Sequence, residues 1–185
     1  AARNGFGTME GILREMCGRE VPGDTYRNLR IHPEFSNKTF KHILVPTDGS
    51  ALSEGTVARA VSFAKETGAR ITFFYAQPDF PMPIYGEGAL IDPTTPEQFA
   101  KSAAAEAEAI LTKAKDAADA AGVAADSDST VNEVPYEAII DASDRHGCDL
   151  IFMASHGRRG IAGLLLGSET QKVLTHSKTP VLVYR

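Results

Sequence analysis

The chain has no tryptophan and only two cysteines, Cys17 and Cys148. They lie far apart and fit no metal-ligand spacing, so they read as two reduced thiols in a reducing compartment rather than as a disulfide framework. No apolar run approaches the ~20 residues needed to span a bilayer. No basic-then-apolar leader opens the sequence. A cytoplasmic protein with no membrane partner is therefore expected. No glycine is followed by lysine, so the Gly-x-x-x-x-Gly-Lys-Ser/Thr phosphate loop is missing and motor or transporter chemistry is disfavoured. No Gly-x-Gly-x-x-Gly follows the first strand-like segment, which argues against a dinucleotide site. Positive charge is also short: the net charge is −5, and without a local basic patch no nucleic-acid partner is expected.

What is present suits one domain with an appendage. The 185 residues are 43% hydrophobic, enough for a proper core. Residues 1–38 differ from the rest. They are polar and hold five glycines, with one short helix expected over Gly11 to Arg19 and a turn at Pro22-Gly23-Asp24. They carry no motif. Because the first residue is Ala1, this stretch reads as a leader, a processed end or a docking arm. The domain proper is expected over 39–185.

Within that domain, strands and helices alternate. Lys41 to Val45 is a short apolar strand stopped by Pro46. After the turn Thr47-Asp48-Gly49-Ser50, with Ser50 or Ser53 as cap, Val57, Ala60, Val61 and Ala64 recur at i, i+3, i+4, i+7 on one helical face. Gly68 ends that helix and Ile71 to Ala76 is the second strand. Residues 77–96 are rich in proline and glycine and read as a long loop, leaving from the carboxyl edge of the sheet to cover the crevice there. Thr95-Pro96-Glu97 opens a helix whose buried stripe is expected at Phe99, Ala103, Ile110, Ala114, Ala117 and Ala121, ending at Gly122. A weak, exposed edge strand lies within Val123 to Val134. A third helix opens at Pro135 with Ala138, Ile139 and Ala142 inward and stops at Gly147. Leu150 to Ala154 is the fourth strand. A fourth helix runs from Ser168 to His176 with Val173 and Leu174 buried, and Pro180 to Tyr184 is the last strand. Five strands alternating with four helices imply an α/β fold: a parallel sheet covered on both faces, three layers in all, with right-handed crossovers. The order of the strands is not readable from these patterns.

Chemistry concentrates around Leu150 to Thr170. An apolar strand leads into Ala154-Ser155-His156-Gly157. Nine residues later comes Gly167-Ser168-Glu169-Thr170, where Ser168 can cap a helix. Strand, glycine loop and helix N-terminus together suit an anion, because open N–H groups and the positive helix end converge. Arg158-Arg159 lies in the loop, as either a solvated pair or a fork for a phosphate. No nucleophile motif accompanies His156, which reads as a loop contact rather than a base. Pro46-Thr47-Asp48-Gly49-Ser50 is either a turn with a cap or a second contributor to the site.

Small-x-x-Gly, nine residues, then Gly-Ser resembles the nucleotide-binding signature of the universal stress protein family, and the likeness extends from about Phe40 to Arg185. Ala154 departs from the usual glycine of that pattern. If the backbone there requires a positive φ, alanine costs roughly 1–2 kcal/mol. The resemblance implies a doubly wound five-stranded sheet of order 3-2-1-4-5, with the ligand in the crevice at the carboxyl ends of strands one and four. It implies ATP or another adenine nucleotide, with Mg²⁺ as a possible companion. Pro46 and Met153 would flank the adenine, Ala76 would meet it through its main chain, and Asp48 would face the ribose or the metal, with its neighbour Thr47 also among the binding residues. Ala154, Ser155, His156, Gly157, Arg158, Arg159 and Gly160 would wrap the ribose and phosphates. Ser168, Glu169 and Thr170 would close over the phosphates, with Gly167 among the binding residues where the loop meets the helix. It also points to a homodimer through the edge strand 180–184. Three classes stay open: a nucleotide-binding stress regulator, a member with a degenerate site acting through protein contacts, and a slow ATPase or autophosphorylating protein.

Overall fold

The structure, a computed structural model, describes residues 40–80, 95–156 and 166–185. All belong to the unit Thr39–Arg185. The expected helix at Gly11 to Arg19 and most of the expected loop, residues 81–94, lie outside the described residues.

The elements run β1 (His42–Pro46), α1 (Ala51–Thr67), β2 (Arg70–Gln77), α2 (Pro96–Ala121), β3 (Ala125–Val131), α3 (Pro135–His146), β4 (Leu150–Ala154), α4 (Ser168–His176) and β5 (Val181–Tyr184). All pairings are parallel and the order is β3-β2-β1-β4-β5. The chain extends the sheet one way from β1 through β2 to β3, then crosses back to add β4 and β5 on the other side. The switch point between β1 and β4 leaves a crevice at their carboxyl ends.

Local chemistry sets the element ends. Ser50 caps α1 by accepting the Ser53 N–H. Thr95 and Gln98 close a reciprocal capping box on α2. Gly68, Gly122 and Gly147 end α1, α2 and α3 in the left-handed region. The sheet's faces bury two apolar clusters. Ile43, Val45, Phe73 and Phe152 pack under α1 and α2, while Leu44, Phe74, Ile151 and Met153 pack under α3 and α4. The central strands read as near-continuous apolar runs because both faces are covered.

Three expectations need correction. The stripe of α2 is Ala103, Ala107, Leu111, Ala114 and Ala118, with Ala117 exposed and Phe99, Ile110 and Ala121 only half-buried. Alanines recur so often in α2 that several stripes are equally apolar, and burial of Leu111 selects one. On α4, Val173 is buried but Leu174 is 43% exposed. Ser168 is not the cap of α4 but its first helical residue; Gly167 holds the cap position, with no side-chain acceptor. Cys148 is a buried free thiol, its pKa pushed up to about 12 mainly by burial. Among the described residues, no helix is long and apolar enough to cross a membrane.

Candidate functional site

The crevice begins where β1 stops. Pro46, its last residue, pairs with Phe74, and the Thr47 N–H donates to the Phe74 carbonyl at 2.9 Å. β2 runs on to Gln77, still paired with β3. Main-chain groups alternate sides along a strand. Phe74 faces β1, whereas the Gln77 carbonyl accepts from Asn132 N–H at 3.1 Å on the β3 side. Ala76 therefore directs its N–H and C=O toward the β1 side, at a level where β1 has ended. Side chains alternate as well, so Pro46 shares the face of Leu44. Met153 is buried in the cluster on that face, and Ala76 and Tyr136 pack against it. Pro46, Ala76 and Met153 thus share one face, the face against which Tyr136 at the start of α3 packs.

The turn after β1 is closed by its own side chains. Asp48 Oδ1 accepts from the Ser50 N–H at 3.0 Å and the Ser50 hydroxyl at 2.7 Å. Thr47 Oγ1 accepts from the Ser53 hydroxyl at 2.8 Å, and Ser53 Oγ accepts the Asp48 N–H at 3.2 Å. Gly49, at φ 73°, allows the chain to reverse. Among the described residues no three His, Cys, Asp or Glu side chains gather as metal ligands. Asp48 suits at most the single carboxylate that Mg²⁺ takes when phosphates and water fill the remaining positions.

The second half of the crevice is the end of β4 against the start of α4. Ala154 lies in the strand, and no described non-glycine residue has a positive φ, so alanine here carries no backbone strain. Ser155 is fully buried and shares a 2.8 Å hydrogen bond between its hydroxyl and His156 Nδ1. His156 Nε2 is buried and meets no hydrogen-bond partner among the described residues. The Gly167 N–H donates to the Ser155 carbonyl at 2.9 Å. A Cβ on Gly167 would stand 3.3 Å from that oxygen and 3.4 Å from His156 Cα.

Two expected phosphate contacts are otherwise engaged. The Thr170 hydroxyl donates to the carbonyls of Ala154 at 3.1 Å and Ser155 at 3.3 Å, and the residue is buried. It is a strut between α4 and β4. Glu169 turns away: Oε2 accepts the Tyr136 N–H at 3.0 Å and Oε1 accepts from Lys172 Nζ at 2.8 Å. That bond holds the Lys172 pKa above its ordinary value. No side chain caps the first N–H groups of α4, which leaves them open at its start. Gly157, Arg158, Arg159 and Gly160 lie outside the described residues. Sequence reasoning missed Tyr136 and Lys172. The available signal was Val134 immediately before Pro135: a helix start with no Ser, Thr, Asp or Asn to cap it needs an acceptor from elsewhere.

A separate hollow of about 370 Å³ opens between α1 and α2, lined by Thr47, Gly49, Val57, Ile110, Lys113 and Ala117 among others. It lies on the opposite face of the sheet from Met153 and Ala76. Of the expected site residues only Thr47 lines it. The short alanine side chains of the facing helices leave this space, whereas Pro46, Ala76, Met153 and Gly167 lie at or beside the carboxyl ends of the strands.

Over residues 39–185 the chain matches the universal stress protein family. It is 30% identical over 149 residues to a universal stress protein of Methanocaldococcus jannaschii, covering 79% of this chain and 82% of that one. Among solved structures it is similar to universal stress protein UspA from Lactobacillus plantarum, with a TM-score of 0.65, 25% identity, and coverage of 80% of this chain and all of that one. It is also similar to a universal stress protein in complex with cAMP, with a TM-score of 0.58, 30% identity, and coverage of 80% and 99%. Family match, relative and shared architecture agree: the chain belongs to the universal stress protein family.

Proposed function

We propose that the chain binds an adenine nucleotide, ATP foremost, in the crevice between the ends of β1 and β4, and acts as a regulator rather than a fast catalyst. The observation that carries this reading is the gap beyond β1. Ala76 presents a main-chain donor and acceptor into it, a match for the hydrogen-bonding edge of a purine, and Pro46 and Met153 supply apolar surface on the same face. The solved relative in complex with cAMP, an adenine nucleotide, supports the same ligand class. The uncapped start of α4 offers N–H groups and a helix dipole to phosphates. Mg²⁺ would arrive with the triphosphate, with Asp48 as its one protein carboxylate. The rival reading, a degenerate site, would have found support in strain at Ala154, and there is none.

Calorimetry with ATP, ADP, AMP and cAMP tests it. One nucleotide per chain is expected. Ser168→Ala should weaken ATP by no more than about 1 kcal/mol, because it removes a hydroxyl and leaves the main-chain donors. No heat from any of the four at millimolar concentration gives the decision to the degenerate-site reading.

The same proposal includes a homodimer through the edge strand 180–184.

A further inference from the structure

The first turn of α3 lacks a cap of its own. Val134 stands at the cap position, and its side chain cannot accept a hydrogen bond. Glu169 supplies the missing acceptor from α4, taking the Tyr136 N–H at 3.0 Å on one oxygen and the Lys172 ammonium at 2.8 Å on the other. Lys172 Nζ lies 5.2 Å from the centre of the Tyr136 ring, and the His176 ring lies 5.5 Å from it on the same helix as Lys172. The start of α4 is in turn fixed to the end of β4 by the Gly167 N–H and the Thr170 hydroxyl. Tyr136 packs against the cluster of Met153, as does Ala76. One carboxylate therefore joins the helix end on the phosphate side of the crevice to the wall on its base side.

We propose that Glu169 is a positioning residue of the nucleotide site, holding the first turn of α3 and the wall beside the base, and does not itself contact phosphate. The proposal rests on the nucleotide reading above. An acidic side chain aimed at the phosphates would repel them. Here the charge is turned aside and met by an ammonium and by the positive end of α3. Glu169 can thus occupy the first turn of α4 without opposing the ligand.

The test is calorimetry of the full chain with adenosine and with ATP, in wild type, Glu169→Ala and Glu169→Gln. Loss of the carboxylate should weaken both ligands by the same factor, on the order of fivefold, the size of one lost helix cap. Glutamine keeps an oxygen for the Tyr136 N–H and should restore both. Hydrogen exchange at the Tyr136 amide should quicken in Glu169→Ala and hold in Glu169→Gln. A wild type that binds both ligands and a Glu169→Ala that binds them equally well would overturn the proposal alone. So would two variants that tighten ATP and leave adenosine unchanged, since that pattern belongs to a carboxylate that only repels phosphate. A wild type that binds neither ligand removes the nucleotide reading and the proposal together.

Discussion

Gly167 has a φ of −60°, so its backbone conformation does not demand glycine. What favours it is distance: a Cβ would stand 3.3 Å from the Ser155 carbonyl oxygen, closer than an ordinary contact, and a branched side chain adds to that crowding. Gly167→Val should therefore lift the start of α4 from the end of β4 and lose nucleotide binding together with stability. A thermal melt beside calorimetry checks this; lost binding with an unchanged melting temperature would mean that the side chain blocks the ligand instead. A second residue argument concerns pH. His42 is buried in β1, sharing a 2.8 Å bond between Nε2 and Thr72 Oγ1. Burial foremost, then the Arg70 charge, lowers its pKa below 6.5. The unfolded chain thus takes up the proton first as pH falls. His42 contributes stability that is complete above about pH 6.5 and is lost as pH falls from there through the lowered folded value. Urea titrations at pH 7.5 and pH 5.5 should show a drop in stability that is smaller in His42→Gln, and an equal drop in both proteins would remove His42 as the cause. At this scale the family resemblance named Pro46, Ala76 and Met153, and the strand ends put them on one face; how the side chains are engaged was not readable. The commitments of Glu169 to Tyr136 and of Thr170 to Ala154 join positions 33 and 16 apart, and no local pattern reports them.

Elements were more legible than side chains because their signals are local. Side-chain caps before α1 and α2, Pro135 at the start of α3, a glycine after three helices and, β3 apart, apolar runs of strand length placed the nine described elements within a few residues. The exception is the facing of α2. A stripe is read from contrast between apolar and polar positions, and alanine at so many positions leaves little contrast. The strand order had no local signal and rested on the family resemblance. Helix ends also yield a paired prediction. Gly122 terminates α2 at φ 74°, with open space around a notional Cβ. Gly55 lies exposed inside α1, likewise with open space. Gly122→Ala should cost about 1 kcal/mol, because alanine in the left-handed region is strained. Gly55→Ala should gain up to about 1 kcal/mol, because alanine is the better helix former. Chemical denaturation of both variants checks the opposite signs; the same sign in both would mean that packing rather than backbone conformation governs these sites.

At the scale of the whole molecule, the sheet of the described residues has two edges of opposite character. The β3 edge carries Asp126, Ser127, Asp128 and Ser129, and Asp128 is bound by Arg145 at 3.0 Å and His146 at 2.8 Å. Charge of this kind discourages strand pairing. The β5 edge is Val-Leu-Val-Tyr with no charge, its four residues only half-buried, and α4 beside it exposes Leu174. The proposed two-fold dimer belongs at β5, because an apolar edge of unpaired main chain is a pairing template. The ladder shows where to break it. The Pro180 and Tyr184 carbonyls accept from Ile151 and Ser155, so the alternate residue Leu182 also faces β4, and Val181 and Val183 direct their main-chain groups outward. A proline at Leu182 would damage the subunit's own sheet. Val183→Pro removes an outward N–H, and edge strands tolerate proline. Light scattering should give twice the monomer mass for wild type and the monomer mass for Val183→Pro, with the far-ultraviolet circular dichroism of the two alike. A wild type that is monomeric at micromolar concentration, or a folded Val183→Pro that remains dimeric, would place any self-association away from this edge.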